Sequence, residues 1–123
     1  ALLLIILASC SKKGKDNEAP VITLEKPVGR AHYIELESIQ INASISDNVK
    51  IEKIILTWID TVSFQIDPSF AIEKYSDIIN QSSVQYGKLF LVFPKFKTTW
   101  KYTLQAIDAN GNSAFKEFAV DIN

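Results

Sequence analysis

The chain has 123 residues, 47% of them hydrophobic, with 13 basic and 14 acidic side chains and a formal net charge of −1. Both signs are spread along the whole length, which leaves no basic stripe for nucleic acid and no acidic block for a solvating tail. A single cysteine excludes an internal disulfide, and with only one histidine beside it the chain lacks the ligands of a zinc centre.

The first element in chain order is the apolar run Leu2 to Leu7, followed by Ala8-Ser9-Cys10. It is too short to span a bilayer, which takes about 20 residues. A secretory h-region is about 7–15 residues long, ends in small residues and is removed. Leu7-Ala8-Ser9-Cys10 resembles the lipobox of bacterial lipoproteins. That resemblance implies cleavage before Cys10, a lipid on Cys10, and the membrane as a partner outside the cytoplasm. The chain has no methionine and no basic n-region, so residues 1–9 are expected to be a truncated signal peptide. Ser11 after the cysteine resembles the outer-membrane class, facing either the periplasm or the cell surface. Residues 10–18 are then the lipidated cysteine and a flexible polar tether. Within it, Lys12-Lys13-Gly14-Lys15-Asp16-Asn17-Glu18 loosely resembles a lysine-plus-acid surface-export signal of Bacteroidota.

The remaining residues, 19–123, suffice for one domain. Val21-Ile22-Thr23-Leu24 is a short edge strand, flanked by Pro20 and Pro27. Ser38 to Asp47 alternates Ile39, Ile41, Ala43 and Ile45 with polar residues, the period of a half-buried strand. Asp47-Asn48 predicts a turn. Ile51 to Asp60 is apolar on both faces and predicts a central strand. Val62 to Ile66 alternates as a strand does, whereas Asp67-Pro68 reads as an N-cap with proline at the first helical position. Ala71, Tyr75, Ile78 and Ile79 then give one face of a short helix over 68–80. Strands follow at Val84 to Phe93 and Thr99 to Asp108. Asn110-Gly111 predicts a type I′ hairpin turn, and Ser113 to Asn123 closes the sheet with Phe118, Val120 and Ile122 inward.

This order of elements predicts an all-β sandwich. The stretch Tyr102-Thr103-Leu104-Gln105-Ala106-Ile107-Asp108-Ala109-Asn110-Gly111-Asn112 resembles the F–G hairpin of bacterial immunoglobulin-like and cadherin-like domains. Ser46-Asp47-Asn48-Val49-Lys50-Ile51 is similar to their B–C turn, and Trp58 falls on the strand that often bears a buried tryptophan. The resemblance implies an immunoglobulin-like antiparallel sandwich of about seven strands over 19–123, in the manner of small Bacteroidota lipoproteins whose function is largely unknown.

Chemistry-bearing residues are sparse. His32 lies in a loop, no Gly-x-Ser-x-Gly elbow marks a nucleophile, and the acids are scattered. The expectation is a protein that is not an enzyme and has no cofactor. In the implied topology Asp47, Asn48, Asp108, Asn110 and Asn112 share one pole, with Asp16 and Glu18 nearby, an oxygen set that suits calcium. The same residue types serve turns by satisfying local backbone groups, and no metal is expected. Trp58, Trp100 and Tyr102 fall on inward positions. Tyr33, Phe64, Phe70, Tyr75 and Phe96 fall in or beside the connections at the opposite pole, and are the candidate ligand-binding residues for a glycan or a protein. The expected function is a lipid-anchored envelope lipoprotein acting as a non-catalytic binding or accessory module. The alternative is a structural docking subunit of an envelope assembly.

Overall fold

The alternation that begins at Ser38 does not stop at Asp47. In the computed structural model, which describes residues 17–93 and 96–123, a single strand, β3, runs Ser38–Asp60. The turn expected at Asp47-Asn48 is a bend inside that strand. Asp47 Oδ2 holds the bend by accepting from the backbone N–H groups of Val49 at 3.1 Å and Lys50 at 3.0 Å. Register against the neighbouring strand shifts between Ser46 and Ile51 and again between Ile51 and Lys53. Such bulges bend a strand and strengthen its twist. Ile39, Ile41, Ala43 and Ile45 before the bend and Ile54 and Leu56 after it are all buried in one core.

Strand β4, Ile72–Leu91, returns antiparallel along the whole of β3, from Ile59 opposite Ile72 to Ser38 opposite Leu91. On the other edge of β3, β1 (Val21–Lys26) covers the first half and β5 (Thr98–Asp108) covers the second. Next come β6 (Ser113–Ile122), antiparallel to β5, and β2 (His32–Tyr33), parallel to β6. The fold is therefore all-β, built on one curled, mixed sheet of six strands among the described residues. The all-β expectation holds, and the sheet departs from the expected antiparallel one in the two-residue parallel pair of β2 with β6. Bent β3 and β4 contribute to both layers of the curl: β3 merges the strands expected at 38–47 and 51–60, and β4 carries the strand expected from Val84 back to Ile72.

Two further expectations fail between Asp60 and Leu91. Residues 62–66 belong to a helix, α1 (Thr61–Ile66), not a strand. Its N-cap is Asp60, whose Oδ1 accepts from Val62 N and Ser63 N, both at 3.1 Å. The helix expected over 68–80 shrinks to a 3-10 turn, Pro68–Phe70, capped by Asp67 through Ser69 N. From Ile72 the chain pairs with β3, and a ladder of backbone hydrogen bonds overrides the helical spacing of Ala71, Tyr75, Ile78 and Ile79. The 108–112 turn is a hairpin as expected but not type I′. Gly111 takes φ +86° while Asn110 has no positive φ, and Gly111 N donates to Asp108 O at 3.1 Å.

Candidate functional site

Strand β4 pairs only with β3, so among the described residues its other edge is unpartnered over the full 20-residue length. Because β4 bends with β3, its two halves face each other across the open side of the sandwich. Contacts across that opening fix which side chains point inward. Tyr75 in the first half meets Phe90 in the second, edge to face, with ring centroids 5.5 Å apart. Lys88 reaches back so that Nζ lies 5.3 Å from the Tyr75 ring centroid and 3.8 Å from Asp77 Oδ2.

Between these halves lies a cleft of about 480 Å³. Trp58 from β3 and Trp100 from β5 form an aromatic wall in it, edge to face at 5.3 Å and 81°. Tyr75 and Phe90 line it too, with Leu91 and the exposed Phe93 beyond them. The polar lining is Asp60, Glu73 and Lys88. Asp60 is buried and engaged: Thr98 Oγ1 donates to Oδ1 at 2.6 Å and Trp100 Nε1 to Oδ2 at 3.2 Å, besides the two helix N–H groups. Glu73 is exposed and accepts from the Tyr75 hydroxyl. Burial, with that bond and the Glu73 charge behind it, pushes the Tyr75 phenol up to about 12. Trp58 is half-buried rather than fully inward, and its buried Nε1 finds no acceptor in the protein.

Behind this cleft the aromatic chain continues inward. Phe90 meets Tyr102 at 5.3 Å, and Tyr102 stacks on Phe118 at 5.1 Å. The buried hydroxyls of Tyr86 and Tyr102 have no hydrogen-bond partner among protein groups, and burial pushes both phenols above their ordinary range.

The aromatic set expected at the far pole divides. Tyr33 lies half-buried on β2 against the core, while Phe64 on α1 and Phe96 in the connection before β5 are exposed. Phe70 ends the 3-10 turn. These four belong to the end of the sandwich opposite the bend, but among the described residues no ring contact joins Tyr33, Phe64 and Phe96. Tyr75 is the correction: it sits on a strand opposite Leu56, not in a connection, and belongs to the cleft. The cleft residues Trp58, Glu73, Lys88 and Phe90 were not singled out as a set. Their signal is the inward polar row Glu73, Tyr75, Asp77, unusual on a strand face that borders a core.

The turn carboxylates are committed to backbone. Fully buried Asp108 accepts from Asn110 N at 2.9 Å, Asn112 N at 2.8 Å and Asn112 Nδ2 at 2.9 Å. Asn48 is exposed, and Asp16 lies outside the described residues, as does the expected lipidation site Cys10. Among the described residues no three His, Cys, Asp or Glu side chains are placed to hold a metal. His32 is exposed, 3.9 Å from Asp121 Oδ2. Asp121 is itself clamped by Arg30 Nε at 2.9 Å and Nη2 at 2.7 Å, with Thr99 Oγ1 donating at 3.0 Å. Arg30 holds the Asp121 carboxyl below its usual range.

No protein-family model and no curated protein matches this chain. Solved structures do resemble it. OgpA from Akkermansia muciniphila overlaps with a TM-score of 0.53 at 13% identity, covering 85% of this chain and 29% of that one. A superoxide reductase (neelaredoxin) from Ignicoccus hospitalis overlaps at 0.46 with 12% identity, covering 88% and 89%. A Niemann-Pick type C2 protein from the Japanese carpenter ant overlaps at 0.45 with 10% identity, covering 86% and 90%. This chain spans less than a third of OgpA, and the shared feature is the fold: a small all-β domain whose curled sheet is similar to β-sandwich structures.

Proposed function

We propose that this protein is a non-catalytic binding module of the cell envelope, held on the outer membrane by a lipid at Cys10, and that it takes a glycan in the cleft at the open side of its sandwich. The observation that carries this reading is the aromatic cleft itself. Five rings and three charged side chains converge on about 480 Å³ of open space between the halves of β4, a volume and lining of the kind that holds small ligands. Phe64 and Phe96 at the far pole are exposed and do not line this cleft. A second reading, a docking subunit of an envelope assembly, draws on the unpaired edge of β4, since such an edge templates strand addition by a partner.

Both tryptophans of the chain line the cleft, so intrinsic fluorescence reports its occupancy. Titration with soluble envelope glycans is expected to shift the emission. Tyr75→Ala should abolish that binding, and Phe64→Ala should leave it intact. The reverse pattern would move the ligand to the far pole. A partner protein captured through β4 with no change in emission would favour the docking subunit.

A further inference from the structure

The cleft's charges narrow the ligand. Two carboxylates, Asp60 and Glu73, face one ammonium, Lys88, which leaves a formal −1, and Asp77 beside Lys88 makes it −2. An anionic ligand meets net repulsion there. A cation meets aromatic walls whose faces are electron-rich. The cleft already seats one ammonium in this way, since Lys88 Nζ sits between the Tyr75 ring and Asp77. Glu73 is placed for a second. Its carboxylate is exposed and takes a hydrogen bond from the Tyr75 hydroxyl, whereas Asp60 is saturated. A ligand that suits this site therefore presents an ammonium and an apolar face together.

We propose that the cleft binds an amino sugar, a pyranose carrying a free protonated amine. Its ring face lies on the aromatic walls, and its ammonium pairs with Glu73. A lysine side chain offers the ammonium, but its thin chain leaves the rings uncovered. The assignment rests on the cleft's being the ligand site of the proposed module.

The test titrates the full chain with a deacetylated chito-oligosaccharide, its N-acetylated counterpart of equal length, and a lysine-rich peptide, following tryptophan emission and calorimetric heat. The deacetylated sugar is expected to bind about tenfold tighter than the acetylated one or better, the scale of one charge-assisted hydrogen bond, and to weaken as salt rises. Glu73→Gln should erase the preference while the melting temperature stays unchanged, because Glu73 is exposed on an edge strand. Equal affinity for the two sugars, both shifting the emission, would overturn the amino-sugar assignment and leave the cleft reading standing. Tighter binding of the peptide would overturn it in favour of a basic protein segment. Absence of any emission change, or binding lost in Phe64→Ala, would overturn both.

Discussion

The Asp60 carboxylate accepts four hydrogen bonds, two from the start of α1 and one each from Thr98 and Trp100, while only 4% exposed. Asp60→Ala strips the helix of its cap and leaves a buried hydroxyl and an indole N–H unpaired, so a loss of ~2–4 kcal/mol is expected from denaturant unfolding. Asp60→Asn, which keeps an acceptor, should lose less. The buried tyrosines behave in the opposite sense. Because the Tyr102 hydroxyl has no protein partner, Tyr102→Phe should leave stability unchanged at neutral pH or raise it by up to ~1 kcal/mol. The same residues set an alkaline limit. The Tyr75 phenol is raised by burial to about 12, and Tyr86 and Tyr102 are raised by burial too. Below about 10, the value for an unfolded tyrosine, all are neutral in both states and their full contribution is present. Above it the unfolded chain releases protons that the native state retains, so stability falls as pH rises toward and through 12. Urea midpoints measured across that range should decline, and decline less in Tyr102→Phe; a flat profile would contradict the burial of these phenols. At this scale the sequence was informative wherever polarity and position agreed. Trp100 and Tyr102 were legible as core. Trp58 was not legible as half-open, since it lines the gap left between the two halves of β4.

Among the elements, β5 was legible nearly to the residue because buried and more exposed positions alternate cleanly along it, whereas in β6 only Phe118, Val120 and Ile122 carry the inward period. The first half of β4 was not. Its inward row is Glu73, Tyr75 and Asp77, so the period-two signal is carried by polar groups. Ile79 packs toward the core while Ile78 faces solvent, as strand alternation requires, and the bulge around Asn80 interrupts the period only after them. Those two isoleucines complete a helical spacing by coincidence. Helix α1 was hidden for a related reason: its six residues contain no fully buried side chain, and the cap that starts it lies on the strand before. Asn80 itself is testable. It holds φ +57°, a region open to Asn and Gly but hostile to β-branched residues. Asn80→Val should cost ~1–2 kcal/mol in the thermal or urea transition, the penalty of a left-handed backbone for an L residue, and Asn80→Gly should be nearly neutral. Equal effects would mean that the bulge relaxes.

For the whole molecule, the all-β class was legible from alternation and turn chemistry, because those depend on neighbours in sequence. The curl was not, because it depends on which residues of β3 and β4 meet across the bend. The cleft was hidden with it, being the gap between two halves of one strand. The described chain enters β1 at Val21, opposite Ser46, at the same end as the Asp47 bend and the 108–112 turn. The cleft residues Asp60, Glu73, Leu91 and Trp100 lie toward the other end, where α1 begins. Cys10→Ala is expected to leave the melting temperature unchanged and to move the protein from the membrane to the soluble fraction of cells. Retention on membranes after a salt wash would rule out a lipid anchor.

The continuous pairing of β3 with β4 also bears on how the fold comes into being. Its first rung, Ile59 to Ile72, closes only the short segment that holds α1 and the 3-10 turn, and every later rung extends the same ladder toward Ser38 and Leu91. Loop closure is least costly for short segments, and a hairpin forms in about 1–10 μs. Both layers of the sandwich can thus grow from one zipper that curls as it passes the bend. Neither layer has to form by itself and then search for the other, and β1 and β5 arrive on an edge that the zipper has already laid down.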